Sequence, residues 1–514
     1  MPRPTLMLRA LLALLIMPAR TVRAQVEHDH GNAPHAEVGK VRFPTRCAGA
    51  AQAPFEHGVA LLHSFWYEGA ETAFQEAVRV DHSCAFAYWG LAMSRLHPLW
   101  TPPTPADSRA GLVAAERAVG LSRPGTRERQ YATAIAQFYR VFQAQGFRAG
   151  VFAWDSAMAE VQARNPSDDE ARIFHGLSLI AAGQQDPTDT TYRRQREAAS
   201  QLDALISRYP DHPGLAHYLI HAYDSPALAH FARDAADHYA AIAPDVPHAL
   251  HMPSHIYVRL GLWREAIESN ERSAEAGRRA EEAEGWHGVW GQRIHAWDYL
   301  VYAFLQVGEE RRAREIVDQA AGVTAVIPEN DLISDYALAA IPARYALERE
   351  DWAAAARLAV RPAPAWRAAE AMTHFARALG ASRTDDTLLA QRELDTLASL
   401  EAALRRTGGP QAYWADQVDI QRLAASGWLA RLRGDTAEAL RSSRAAADLE
   451  DRTEKHPVTP GPLLPARELY ADLLLSLNRP DEALANYRAS EARQPNRART
   501  RRGMERALAA MASR

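Results

Sequence analysis

The sequence predicts an all-α protein made of repeated helix pairs, and three observations lead to that expectation. Apolar residues recur at helical spacing in segments of about a dozen residues, and no segment shows a convincing strand pattern. Small residues return at fixed intervals along most of the chain. The 514 residues, 47% of them hydrophobic, are ample for a buried core and too many for one ordinary compact domain.

Residues 1–24 predict a secretory signal. Arg3 and Arg9 supply positive charge around a short apolar run at residues 10–17, and small residues precede Gln25. The run is far shorter than the ~20 residues that a membrane helix needs, so we expect cleavage rather than an uncleaved anchor. The sequence thus predicts an exported protein, periplasmic or extracellular, in which residues 25–50 form an extended polar segment.

The charge of the chain argues against nucleic acid and anionic membranes as partners. The formal charge is −4, and removal of residues 1–24, which hold four arginines and no acidic residue, changes it to −8. Phosphate backbones and anionic headgroups attract positive charge rather than a mildly acidic protein. We expect no membrane span after the signal, because no later stretch is apolar enough.

The two cysteines, Cys47 and Cys84, predict one disulfide. An exported chain meets an oxidising compartment, where an even pair of cysteines favours a bond over the alternative of two free buried thiols. The bond would pin the N-terminal segment to the start of the helical array. Two cysteines are too few for the usual zinc site of four thiolates.

The repeated helix pairs are indicated by small residues at intervals of 12, 4 and 3. Sets with these intervals begin at Gly58, Ile220, Gly427 and Ala471. Small residues on both helices of a pair let the two backbones approach closely, while an aromatic or similar residue fills the seam between them. Prolines at residues 97–106 and 456–465 predict loops that interrupt the array.

This pattern resembles the tetratricopeptide repeat (TPR) family, whose unit is a helix–turn–helix of ~34 residues. The resemblance covers most of residues 51–500, so we assign residues 51–514 to one solenoid, with helix-pair repeats of other periods as the alternative. The resemblance implies a right-handed superhelix whose first helices line a concave groove. Residues 43–70 and 83–100 also look like a group of exported bacterial TPR proteins, which implies no established activity.

The candidate metal ligands lie in the central repeats, residues 213–310. His217 and His221 share one helix face, as do His251 and His255, because each pair is spaced i, i+4. The second pair follows the first by 34 residues, one repeat length, and Tyr223 and Tyr257 keep the same interval. The tyrosines and, on an earlier helix, His175 are therefore expected to line the groove beside the four histidines.

The next repeat places His295 and Asp298 beside these pairs as further ligands or as hydrogen-bond partners. Neutral imidazole suits zinc, copper, nickel or iron, so the pattern predicts a transition-metal site. Two alternatives stay open: packing histidines inherited by repeat duplication, and a groove that binds a peptide or small anion through imidazole. His63, among aromatic residues of the first repeat, is assigned a packing role.

Three functions compete on this reading. The first is an exported scaffold that binds a peptide, protein or small molecule in its groove, and the second is a metal-binding protein. The third is a metal-dependent hydrolase or oxidoreductase, which is less favoured, and no catalytic residue is assigned. Common motifs such as H-E-x-x-H and G-x-S-x-G are absent from the sequence. A closed shell of four histidines would favour storage, and open coordination positions would favour an enzyme.

Overall fold

The structure is a computed structural model that describes Met1 and residues 36–361 and 366–514. Residues 37–514 form one compact unit. Apart from Met1, the predicted signal, residues 1–24, lies outside the described residues. Residues 25–35 of the predicted polar segment also lie outside them. Within the described part, no helix is long and apolar enough to cross a membrane.

The described residues are almost entirely helical. The N-terminal helices are α1 (Gly49–His63), α2 (Tyr67–Val80), α3 (Ala85–Ser94), α4 (Pro105–Leu121), α5 (Arg127–Gln145), α6 (Phe147–Arg164), α7 (Asp169–Gln184) and α8 (Arg193–Ile206). The central helices are α9 (Pro213–Tyr223), α10 (Arg233–Ile242), α11 (Pro247–His251), α12 (Pro253–Leu260), α13 (Trp263–Ala283), α14 (Gly291–Gln306) and α15 (Glu310–Ala321). The C-terminal helices are α16 (Leu332–Glu348), α17 (Trp352–Ala356), α18 (Arg367–Arg383), α19 (Thr387–Thr407), α20 (Gln411–Leu432), α21 (Thr436–Glu450), α22 (Ala466–Ser476), α23 (Pro480–Arg493) and α24 (Ala498–Ala512).

Helices that are consecutive in the chain pack against each other as stacked antiparallel pairs, which confirms the predicted all-α class. The strands among the described residues are β1 (Val289–Trp290) and β2 (Val326–Ile327), two residues each, paired in parallel. This is incidental pairing between loops rather than a sheet.

The small residues act as the repeat pattern predicts. Ala70, Phe74 and Ala77 of α2 are all fully buried. A Cβ atom at Gly58 of α1 would lie 2.8 Å from the Phe74 ring, closer than carbon atoms can approach. The absence of a side chain at Gly58 therefore lets the aromatic ring fill the seam between α1 and α2.

The N-terminal segment is held against the array by a disulfide and by aromatic packing. Cys47 and Cys84 are bonded, with their Cα atoms 4.9 Å apart, as the sequence predicts. Phe43 is fully buried and meets the rings of Phe55 and Phe86 at centroid distances of 5.4 and 4.9 Å. Phe43 thus anchors the segment in the core.

The inner face of the central helices is covered by the connector between α21 and α22, residues 451–465. Lys455 Nζ lies 2.8 Å from Asp224 Oδ2, which follows α9. Glu454 accepts a hydrogen bond of 2.6 Å from the hydroxyl of Tyr192. The expected open groove is therefore wrong for this region, because the proline-broken connector of the chain itself packs there.

Candidate metal centre

The histidines of the central repeats are placed by short helices that begin with proline. Pro213 stands in the first turn of α9, and Pro253 stands in the first turn of α12, where a missing backbone N–H costs no hydrogen bond. Met252, between α11 and α12, keeps helical angles (φ −53°, ψ −36°). His251 and His255 therefore stay on one face despite the proline, with their Nε2 atoms 3.0 Å apart.

Six imidazoles meet in the interior and form two groups of three, which we call the first and second triads. The first triad is His217, His221 and His248, and the second is His251, His255 and His295. Within each triad, one nitrogen from each ring lies within 4.8 Å of the others. All six side chains are buried, with exposed fractions between 0% and 6%. We refer to the six together as the histidine-only cluster.

The two triads are neighbours. The ring centroids of His221 and His255 are 5.9 Å apart, and those of His248 and His251 are 6.0 Å apart. The predicted convergence of His217, His221, His251 and His255 is therefore found in the structure, with two further rings and in a buried centre rather than on a groove wall.

The hydrogen bonds of the first triad fix which ring nitrogen carries a proton. His217 Nδ1 lies 2.6 Å from the backbone carbonyl of His63, and His248 Nδ1 lies 3.3 Å from Gln292 Oε1. A backbone carbonyl oxygen only accepts, so His217 Nδ1 is the N–H donor of its neutral ring, and His248 Nδ1 is the donor of its ring with the Gln292 amide in this orientation. Both Nε2 atoms then hold lone pairs, and they face each other at 3.2 Å. Two lone pairs at that distance repel unless a cation lies between them.

The second triad repeats this arrangement with different partners. His251 Nδ1 donates to Asn270 Oδ1 at 2.6 Å, and the amide orientation of Asn270 is set by its donation from Nδ2 to the Ala266 carbonyl. His255 Nδ1 donates to Asp224 Oδ2 at 2.9 Å. The two Nε2 atoms therefore again hold the lone pairs, 3.0 Å apart, although the Tyr299 hydroxyl lies 3.3 Å from that of His255.

Each triad also contains a ring nitrogen with unused hydrogen-bonding capacity. Among the described residues, no hydrogen-bond partner meets His221 Nε2 or His295 Nδ1, and both atoms are buried. Buried polar atoms are normally paired, since leaving one unpaired costs about 1–3 kcal/mol. A metal ion coordinated by these nitrogens would remove that cost.

The electrostatic surroundings favour neutral imidazoles. Burial lowers the pKa of all six histidines of the two triads. Neighbouring imidazoles lower the pKa further in five of them, and Lys455 and Arg259 do so at His255. Asp224 contacts Arg259 and Lys455 at 2.8 Å each. Burial by itself would raise the pKa of Asp224, but these two cations hold it well below its usual range. Burial lowers the pKa of Lys455 to about 8.

Four residues expected at the site lie elsewhere. Asp298 is fully buried and belongs to neither triad; its Oδ1 lies 3.3 Å from Nε of Arg344, and its Oδ2 has no hydrogen-bond partner among the described residues. His175 contacts Gln162 and lies 3.8 Å from Asp155, outside both triads. Tyr223 and Tyr257 were expected as groove-lining residues rather than as ligands. Their hydroxyls donate to the carboxylates of Asp203 and Asp237, and so join neighbouring helices.

His248 is the ligand candidate that the sequence analysis missed. It lies three residues before His251, which is also a helical spacing, but only pairs at i, i+4 were weighed. The sequence also predicted only part of the role of His63. Its ring packs as predicted, and its backbone carbonyl orients His217.

A third buried group, the carboxylate-bridged cluster, consists of His63, Glu170 and His212. His63 Nε2 lies 3.0 Å from Glu170 Oε2, and His212 Nε2 lies 2.9 Å from Glu170 Oε1. The remaining nitrogen of His63 meets the Tyr218 hydroxyl at 2.9 Å. Each carboxylate oxygen thus already has an imidazole partner within hydrogen-bond distance.

A cavity of about 510 Å³ reaches the first triad. His221, Asp224 and Lys455 are among its lining residues. Trp100 and Trp414 also line it and supply apolar wall. The cavity is large enough for a small organic molecule.

No family model matches the sequence, and a comparison with curated proteins finds no match. The fold is similar to several solved helical-repeat structures. The APC/C hetero-tetramer Cut9–Hcn1 is 14% identical with a TM-score of 0.35, and the match covers 90% of this chain and 78% of that chain. The TPR domain of P58(IPK) is 14% identical with a TM-score of 0.22, over 90% and 99% of the two chains. Rap protein complexed with competence and sporulation factor is 12% identical with a TM-score of 0.39, over 78% and 98%.

Proposed function

We propose that the protein binds transition-metal ions, one in each histidine triad. The observation that carries the proposal is the pair of opposed Nε2 lone pairs in each triad, at 3.2 and 3.0 Å. Hydrogen bonds at Nδ1 point these nitrogens inward, and such bonds to carboxylates, carbonyls or amides are the usual support of a metal-bound histidine. Zinc, copper, nickel and iron are the ions that such imidazole groups favour.

The proposal includes export to the periplasm or the cell exterior. The disulfide between Cys47 and Cys84 supports it, because disulfides persist in oxidising compartments. The signal-like composition of residues 1–24 supports it as well. A metal-free scaffold for peptides or proteins is less well supported at this face, since the six histidines are buried.

The test is metal binding by the purified protein, prepared without chelator and offered zinc, copper, nickel and iron in turn. We expect two ions per chain for at least one of these metals, measured by elemental analysis and titration. His217→Ala should remove only the first ion and His251→Ala only the second, each by more than about 100-fold in affinity. The ion that remains in each variant shows that the variant is folded.

His175→Ala is the matched control, because His175 is also buried but lies outside both triads. It should keep both ions. A wild-type protein that binds none of the four metals would overturn the proposal, and the histidines would then serve as hydrogen-bonding groups in a scaffold.

A further inference from the structure

We infer that the ion of the first triad is coordinatively open and takes a small anion, a carboxylate or an oxyanion, from the adjoining cavity. This inference rests on the proposed function, because the anion binds to the metal. It goes further by assigning the two triads different roles, an open site beside the cavity and an enclosed site behind it.

The number of protein ligands is the first step. Each triad offers three imidazoles, whereas zinc in a closed structural site takes four protein ligands. Asp298, which the sequence offered as a further ligand, pairs with Arg344 through Oδ1 and belongs to neither triad, although its Oδ2 has no hydrogen-bond partner among the described residues. Three histidines with a free fourth position is the arrangement of sites that bind water or an exogenous ligand.

The balance of charge is the second step. The ligands are neutral imidazoles, so they supply no negative charge. Asp224 is contacted by Arg259 and Lys455, and Glu454 is contacted by Arg259 and, at 4.0 Å, by Arg493. These two carboxylates are thus already matched by cationic side chains before any metal binds. A divalent ion leaves its charge uncompensated in a buried site, which is costly unless an anion accompanies it.

Access is the third step. The cavity of about 510 Å³ is lined by His221, a member of the first triad, but by none of His251, His255 and His295. His221 Nε2 is buried and unpaired among the described residues. Since a water molecule takes about 30 Å³, the space exceeds that of a bound water and admits a small organic anion. Trp100 and Trp414 provide a wall for its apolar part.

The test uses the protein loaded with cobalt(II), whose visible absorption reports the coordination of the ion. We expect acetate to change the spectrum saturably, with one acetate per chain. Acetamide, which has nearly the same shape and no charge, should have no effect at the same concentration. A protein that takes up no cobalt would contradict the proposed function, whereas bound cobalt that ignores acetate would overturn this inference alone.

Two variants locate the anion. His217→Ala should abolish the acetate response while the cobalt of the second triad remains, and His251→Ala should keep the response. The opposite result would assign the anion to the second triad and overturn the inference.

Lys455→Met tests the balance of charge. It removes a buried positive charge, so we expect cobalt affinity to rise and acetate affinity to fall, each by about tenfold. Equal weakening of cobalt and acetate binding would mean that the charge of Lys455 does not act on the ion, and would count against the inference.

Discussion

The two buried histidine groups of this protein differ in what their ring nitrogens face. In the carboxylate-bridged cluster, both imidazoles point at oxygens of Glu170, at 3.0 and 2.9 Å. In the histidine-only cluster, imidazole nitrogens point at one another, at 3.2 and 3.0 Å. In the first arrangement a shared carboxylate faces one nitrogen of each imidazole, although His212 Nδ1 is buried without a hydrogen-bond partner among the described residues. In the second arrangement lone pairs face each other, and a cation between them would offset their repulsion.

Burial does not separate the two groups. His63 and His217 are both fully buried, so exposure would give them the same interpretation. The hydrogen-bond partners of the ring nitrogens do separate the two groups. His217 Nδ1 donates to a backbone carbonyl, and the lone pair of His217 Nε2 therefore stays free. The direction of the free lone pair is therefore a better guide to a metal site than the number of buried histidines.

The largest expected effect is on the stability of the metal-free protein in acid. Burial lowers the pKa of all six histidines of the histidine-only cluster below the ~6.5 of an unfolded chain. The unfolded state therefore takes up protons first as the pH falls, and the free energy of unfolding falls with it. Between pH 7 and 6 each histidine contributes at most about 0.7 kcal/mol, the limit for a ring that stays neutral in the folded state.

The carboxylate-bridged cluster contributes to the same loss through His63, whose pKa is lowered by burial, but not through Glu170. Burial by itself would raise the pKa of Glu170, but His212 and His63 hold it well below its usual range. Its contribution is thus present above about pH 4.5 and is lost only in stronger acid. Urea denaturation of metal-stripped protein at pH 7 and at pH 6 measures how far the free energy of unfolding falls between the two pH values. Equal free energies at the two pH values would show that the imidazoles of the histidine-only cluster are not buried as neutral groups.

The second-largest expected effect comes from removing the carboxylate of Glu170. We expect Glu170→Gln to lower the free energy of unfolding by about 2–4 kcal/mol, because two buried imidazoles lose a charged acceptor. The variant should still bind two metal ions per chain, with affinities within about tenfold of the wild type. Thermal unfolding and metal titration of the same sample measure both quantities. Loss of an ion would instead make Glu170 part of the metal centre and remove the contrast between the two groups.

The equivalence of residues one repeat apart could be predicted from the sequence, although the hydrogen bonds of Tyr223 and Tyr257 were not among the expectations. Tyr223 donates to Asp203 and Tyr257 donates to Asp237, and both the donors and the acceptors are 34 residues apart. Such contacts join neighbouring helices, so they recur with the repeat. The helix pairs and their small residues were predictable for the same reason.

The surroundings of the histidines could not be predicted, because they come from distant parts of the chain. His217 is oriented by His63, 154 residues earlier, and Asp224 is contacted by Lys455, 231 residues later. Repeat spacing says which residues are equivalent, but not which remote segment covers them. The repeat-related histidines therefore have different partners, a backbone carbonyl for His217 and Asn270 for His251.

The smallest expected effect comes from Asn270, which supports the second triad without being a ligand. Asn270→Leu keeps a side chain of similar size and removes the acceptor for His251 Nδ1, which is 2.6 Å away. The ring then loses its fixed tautomer and orientation, so we expect zinc affinity at the second triad to fall about 10- to 100-fold. The first triad shares no hydrogen bond with Asn270 and should be unchanged. Competition titration with a zinc chelator resolves the two affinities.

Tyr257→Phe is the matched control for Asn270→Leu. It also removes one hydrogen bond from the same repeat, the 2.8 Å bond to Asp237, but it leaves both triads untouched. Zinc binding should therefore be unchanged in this control. If Asn270→Leu weakened both ions equally, the six imidazoles would form one coupled centre. The rings of His221 and His255, with centroids 5.9 Å apart, would be the contact that couples its two halves.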